Sequence, residues 1–279
     1  MRVRRSVLYM PSSNARALEK ARTIPADAVI LDLEDAVAPD AKELARRQAC
    51  EAVQSGEYGG RELTIRCNGL DTPWGEADLR AAVAAAPAAV VVPKVSGVEH
   101  LRAVAALIGD IPIWAMVETP VAVFDIRAIA GFDQVEVLVL GTNDLAKELR
   151  ATLAPGRATL IPHLATALLG AREAGKVILD GVYNDVRDLT GFEAECRQGA
   201  ELGFDGKTLV HPAQVDVANR AFAPTQAEVG HATRVIAALE EAGREGRGVV
   251  TVDGRMIENL HVENAQRVLA TAEAIAALE

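Results

Sequence analysis

The 279-residue chain sets 29 Lys+Arg against 39 Asp+Glu, a formal net charge of −10, and half of its residues are apolar. That balance argues against nucleic acid or an anionic membrane as partner, while leaving room for an anionic small molecule met by a local basic patch. Aromatic residues make up only 4%, so packing must be aliphatic, and the length suits one large α/β domain with an appendage. Cys50, Cys67 and Cys196 are odd in number, far apart and in no metal-ligand spacing, which suits a reducing compartment. Arg2, Arg4 and Arg5 make the N-terminus basic, but no apolar signal core follows. No run approaches the roughly 18 apolar residues of a membrane span, so a cytoplasmic protein is expected.

Apolar runs that read as buried strands lie at 6–10, 28–33, 63–66, 88–92, 113–117, 135–140, 177–179 and 206–210. Alanine-rich amphipathic segments between them read as helices at 14–22, 39–54, 76–85, 98–107, 121–130, 161–174, 189–202 and 213–221. Eight strand–helix alternations predict a (β/α)₈ TIM barrel. An open doubly wound sheet would usually place glycines after its first strand, and here that turn reads MPSSNAR. Past Pro224 the alternation stops. A polar-faced helix at 225–242, a flexible joint at 243–248, a short strand at 249–252, a tight turn at Asp253-Gly254-Arg255 and a helix at 261–278 are expected. The chain thus divides into a catalytic barrel, 1–222, and a C-terminal helical arm or lid, 223–279. The arm is too short to bury a core alone and is expected to pack on the barrel or on another subunit.

The centre of this pattern is the pair of runs at 113–117 and 135–140. The first ends in Glu118-Thr119-Pro120 and the second in Gly141-Thr142-Asn143-Asp144. Adjacent parallel strands lie about 4.8 Å apart, so Glu118 and Asp144 can converge on one divalent cation. In such barrels chemistry sits at the carboxyl ends of the strands. The other strands end in Asp32-Leu33-Glu34-Asp35, Arg66-Cys67-Asn68, Pro93-Lys94, Asp180 and His211-Pro212. Acids around a shared mouth repel unless a cation is present, and two carboxylates plus waters suit Mg²⁺, with Mn²⁺ as the substitute. The bland reading is that these acids cap the helices that follow. Arg66 is either a fork for a substrate carboxylate or a structural bridge to Glu34 or Asp35. Lys94 either neutralises neighbouring acids or forms a Schiff base. His211 is a base or a cap.

RSVLYMPSSNARALEKA, AVILDLEDAVAPDAK, TIRCNGLDTPW, VVVPKV, MVETPVAV, LGTNDLAKEL, GKTLVHPAQ and VDGRMIE follow one another along nearly the whole chain. In that order they resemble the citrate lyase β-subunit-like (CitE-like) branch of the HpcH/HpaI aldolase family. The resemblance implies a Mg²⁺-dependent carbon–carbon lyase acting on 3-hydroxyacyl-CoA thioesters, of the citryl-, malyl-, citramalyl- or hydroxymethylglutaryl-CoA class, made from an acyl-CoA and a 2-oxo acid. It further implies that Glu118 and Asp144 bind the metal, that Arg66 with Glu118 contacts the acid, and that Asp35 and Glu34 stand behind them. By the same resemblance Asp253 exchanges the proton of the thioester enolate, from an arm that closes a neighbour's site in a homotrimer or hexamer.

Coenzyme A brings phosphates to an acidic chain, for which Arg16 and Lys20, one helical turn apart, are candidates together with Arg4 or Arg5. Other readings remain open: an acyl-CoA thioester hydrolase of the malyl-CoA type, a metal-dependent 2-oxo acid aldolase without coenzyme A, a Schiff-base aldolase on Lys94, or a subunit that binds ligand without turnover.

Overall fold

The computed structural model describes residues 2–244 and 250–278; residues 245–249, which include most of the expected joint and the start of the strand after it, lie outside the described residues. Two compact units are present: Arg4–Phe222, and Met1–Val3 with Ala223–Glu279.

In the larger unit eight strands form a closed parallel barrel: β1 (Ser6–Pro11), β2 (Ala28–Asp32), β3 (Glu62–Arg66), β4 (Ala89–Val92), β5 (Ile113–Val117), β6 (Val135–Leu140), β7 (Val177–Asp180) and β8 (Gly206–Leu209). Each pairs with the next, and β1 closes on β8 with Val7 opposite Thr208. The TIM barrel expected from the alternation is therefore the fold. Alternate residues point inward. Val7, Ala28, Ile30, Ala89, Val91, Trp114, Met116, Val137, Val139 and Leu179 fill the interior. The intervening residues meet the surrounding helices in a larger aliphatic core.

The helices are α1 (Ala15–Ala21), α2 (Lys42–Ser55), α3 (Gly75–Ala85), α4 (Val98–Ile108), α5 (Pro120–Phe124), α6 (Ile126–Ala130), α7 (Thr142–Leu149), α8 (Ile161–Glu173), α9 (Leu189–Leu202) and α10 (Val215–Ala221). Two differ in kind from expectation. The helix expected at 121–130 breaks at Asp125, whose backbone (φ −92°, ψ 10°) leaves the helical basin, a conformation that suits a short polar residue better than a helix interior does. And α7 follows β6 after Gly141, where no helix was expected; Leu145 and Ala146 bury its inner face.

The amino end of the barrel is sealed by Arg4, which pairs with Glu62 at 2.6 Å and lies 5.2 Å from the centre of the Trp114 ring. Arg5 binds Asp27 at 2.9 Å. Both arginines precede β1 and are buried at the end opposite the mouth, so the expectation that either meets coenzyme A is wrong.

The smaller unit is a helical hairpin, α11 (Gln226–Arg244) and α12 (Asn259–Ala276), with an antiparallel β-hairpin of β9 (Val250–Val252) and β10 (Arg255–Ile257). Asp253 (φ +51°) and Gly254 (φ +77°) turn it, the two left-handed residues a tight hairpin needs. Ala232, Val235, Ala242, Val250, Val252 and Ala265 form a small core of their own.

Candidate active site

The carboxyl ends of β1 to β6 place a polar cluster above the apolar interior. Arg66, last residue of β3, turns inward and is 7% exposed. Two nitrogens of its fork engage Asp32, the last residue of β2: Nε at 2.7 Å from Oδ1 and Nη2 at 2.6 Å from Oδ2. Nη1 lies 2.9 Å from Glu34 Oε2 and 3.8 Å from Asp35. The guanidinium stands 4.7 Å from the centre of the Tyr9 ring on β1. Asp32 is fixed in turn by the backbone N–H groups of Glu34 (2.9 Å) and Ala36 (3.1 Å). Lys42 on α2 ties the loop down, donating to the carbonyls of Leu33 and Glu34 and to Asn68 Oδ1.

Lys94 follows β4 with a left-handed backbone (φ +50°), a conformation that costs a non-glycine residue about 1–3 kcal/mol and so signals a constraint. It aims the two ends of one residue at different acids. The backbone N–H donates to Glu118 Oε1 at 2.6 Å, while Nζ pairs with Glu34 and lies 3.8 Å from Asp144 Oδ2. Glu118 is 2% exposed and is pressed against Gly141, where a Cβ would fall 2.2 Å from Oε2. Glu118 does not cap the next helix; Thr119 does, accepting from Ala122 N at 3.2 Å.

These acids are short of positive charge. Burial pushes the Glu118 carboxyl up to about 7, with Glu34 adding to the rise against the hydrogen bond from Lys94. Burial also raises Glu34, against Arg66 and Lys94. Burial opposes the charge on Lys94, yet its hydrogen bond and ion pair with Glu34, with Glu118 and Asp35 adding, raise its pKa. Its place between Glu34 and Asp144 is that of a counter-ion. The surplus of oxygen donors fits a divalent cation bound by Glu118 and Asp144 with substrate or water completing the shell. Among the described residues no three His, Cys, Asp or Glu side chains are placed to hold one ion, so a cation at Glu118 and Asp144 would take most of its ligands from water or substrate.

Of the residues expected at the mouth, Glu34, Arg66, Lys94, Glu118 and Asp144 are one connected cluster, with Asp35 exposed at its edge. The bridge expected from Arg66 to Glu34 is present, but the principal partner of Arg66 is Asp32. Asp180 is elsewhere. It follows inward-facing Leu179, so it points outward to α9, where Lys207 (2.9 Å) and Arg157 (2.6 Å) bind it in a buried network. His211 is a cap, accepting from Ala213 N at 3.1 Å. Arg16 and Lys20 lie exposed on α1. Asp253 belongs to the smaller unit. His231 Nδ1 at 2.9 Å and Arg234 Nη2 at 2.8 Å share its Oδ2 and hold its carboxyl below the usual range.

Sequence reasoning missed Tyr9, Lys42 and Met116, whose sulfur lies 3.9 Å from Arg66 Nη1, and it named Asp32 at a strand end without giving it a role. Strand alternation carried the signal for two of them: Val7 and Tyr9 share a face of β1, and Ala28, Ile30 and Asp32 share a face of β2.

A parallel barrel whose polar groups gather at one end, above an aliphatic interior, belongs to the TIM-barrel enzymes, and oxygen donors dominate its mouth. Within that class, the chain belongs to the HpcH/HpaI aldolase/citrate lyase family, whose model matches residues 5–212. A model described as a C–C bond lyase of the TIM-barrel fold matches residues 157–276. The chain is 52% identical to the (3S)-malyl-CoA thioesterase of Cereibacter sphaeroides, over 98% of this chain and 96% of that protein. It is 36% identical to the citrate lyase subunit beta of Escherichia coli, over 98% and 94%. Among solved structures, CitE from Mycobacterium tuberculosis, in complex with magnesium, acetoacetate and coenzyme A, superposes with a TM-score of 0.80 at 29% identity, covering 96% of this chain and 97% of that one.

Proposed function

We propose that this protein is a Mg²⁺-dependent enzyme that hydrolyses a 3-hydroxyacyl-CoA thioester of the malyl-CoA type. The observation that carries the reading is the buried Glu118, held by Lys94 N, packed on Gly141 and pushed up to about 7 by burial, in one cluster with Glu34, Lys94 and Asp144. The 52% identity to a malyl-CoA thioesterase favours hydrolysis over the carbon–carbon cleavage that the sequence motifs alone suggest. That cleavage, to an acyl-CoA and a 2-oxo acid, is the second reading, supported by the lyase relatives.

Bound at Glu118 and Asp144, Mg²⁺ would supply Lewis-acid polarisation of substrate oxygens. The chain's own groups do the rest. Arg66, locked by Asp32, offers Nη1, which it shares with Glu34, to the substrate carboxylate. Lys94 keeps Glu34 and Asp144 from repelling an anionic acid. In the net reaction water adds to the thioester carbonyl carbon, the C–S bond breaks, and coenzyme A leaves as the thiol with malate as the acid product. Asp253, kept as a carboxylate by Arg234 and His231, accepts a proton in this scheme, from the arm of a second copy in a homotrimer or hexamer. Arg16 and Lys20 are offered to the phosphates of coenzyme A.

The test is product analysis on (3S)-malyl-CoA with Mg²⁺. Free thiol and malate in equal amounts are expected, with turnover falling on the order of 10²-fold in E118A, as for loss of one preorganised stabiliser. Glyoxylate with acetyl-CoA would move the assignment to the lyase reading, and no consumption of malyl-CoA would refute both.

A further inference from the structure

Tyr9 has a place in the mouth that no role has yet claimed. It lies on the inward face of β1 with Val7, but Val7 is fully buried in the packed interior whereas Tyr9 is half-buried and only packs against that interior's upper edge. Ile30, its register partner on β2, and the rest of the apolar interior pack against its inner side, so its open side is the mouth. One face of its ring is covered by the Arg66 guanidinium at 4.7 Å.

The polar neighbours of that ring make ion pairs or hydrogen bonds of their own. Asp32 is taken by Arg66 and two backbone N–H groups. Glu34 is shared by Arg66 and Lys94, and Glu118 accepts from Lys94 N. The Tyr9 hydroxyl, by contrast, hydrogen-bonds to none of the described residues. Tyrosine at such a site presents an apolar ring to the interior and a polar tip to whatever enters the mouth. A phenol hydroxyl can donate as well as accept. A donor with no acceptor among the described residues, on the open side of the ring, is matched to an oxygen that arrives with the ligand.

We propose that Tyr9 is a substrate-contacting residue whose hydroxyl donates a hydrogen bond to an oxygen of the small hydroxy- or oxo-acid moiety, beside Arg66, and not to the coenzyme A moiety. The inference rests on the reading that the mouth binds such an acid. It adds a neutral donor to a site otherwise made of charges, and with it a means of ranking acids by where their oxygens lie.

The test is titration calorimetry of Mg²⁺-loaded wild-type protein and Y9F with (S)-malate, with pyruvate and, separately, with acetyl-CoA. Phenylalanine keeps the ring and its stack on Arg66 and deletes one oxygen. Affinity for the two acids is expected to fall about 10- to 100-fold, the range for a hydrogen bond to a charged group, with acetyl-CoA affinity unchanged. A second measurement uses 3-fluorotyrosine at position 9, whose ¹⁹F resonance is expected to move on adding malate and not on adding acetyl-CoA. Equal acid affinities in Y9F and wild type, or a loss confined to acetyl-CoA, overturn the assignment while leaving the proposed function standing. Wild-type protein that binds neither acid refutes both.

Discussion

Glu118 shows how one residue can be costly to the fold and necessary to the site. Its carboxyl is raised to about 7 by burial, so in the metal-free protein the folded state holds a proton that the unfolded chain releases near 4.5. The sign follows directly: below 4.5 the residue is neutral in both states and neutral to stability, and between 4.5 and about 7 its charge weighs increasingly against folding. The penalty reaches about 3 kcal/mol above that window, at 1.36 kcal/mol per pKa unit. E118Q, which retains an acceptor for Lys94 N, is therefore expected to raise the melting temperature of metal-free protein at pH 8 by several degrees, on a scale of about 2–4 °C per kcal/mol, and to leave it unchanged at pH 4. Mg²⁺ should reverse the order by stabilising only the wild type. Melting curves at the two pH values, with and without Mg²⁺, decide it; a variant less stable than wild type in metal-free buffer at pH 8 contradicts the electrostatic account.

Among the elements, the passage from β6 into α7 is the one that shapes the site. Gly141 lies between them with an ordinary φ of −98°, so its lack of a side chain serves space and not backbone freedom. A Cβ there would meet Glu118 Oε2 at 2.2 Å and Glu118 Cβ at 2.4 Å. G141A is thus expected to lose about 1–3 kcal/mol from overpacking and, by displacing Glu118, at least 10-fold in Mg²⁺ affinity, measured by calorimetry. Unaltered Mg²⁺ affinity would show that Glu118 is not seated where the metal binds. Much of this was legible in the sequence. Aliphatic runs ending abruptly in polar residues gave the strands to within about one residue, and with them Glu34, Arg66, Lys94, Glu118 and Asp144. What escaped had physical reasons. Asp32 is visible at a strand end but its role is not, because only the alternation that turns it inward brings it to Arg66. Asp180 ends its strand just as Glu118 does, yet one step of the pleat points it outward to Lys207. The helix α7 is too short, and too polar at its start, to be told from a turn.

At the scale of the whole molecule, the larger unit supplies every residue assigned to binding the metal and the acid, and the smaller unit carries Asp253. Among the described residues no helix is long and apolar enough to cross a membrane. The claim on which the rest depends is that Glu118 and Asp144 hold a single cation. Electron paramagnetic resonance of free Mn²⁺ during titration counts that cation directly. One Mn²⁺ per chain is expected in the wild type, displaced by Mg²⁺, with binding lost in E118A and in D144A alike. Wild-type affinity retained in either variant would contradict the account.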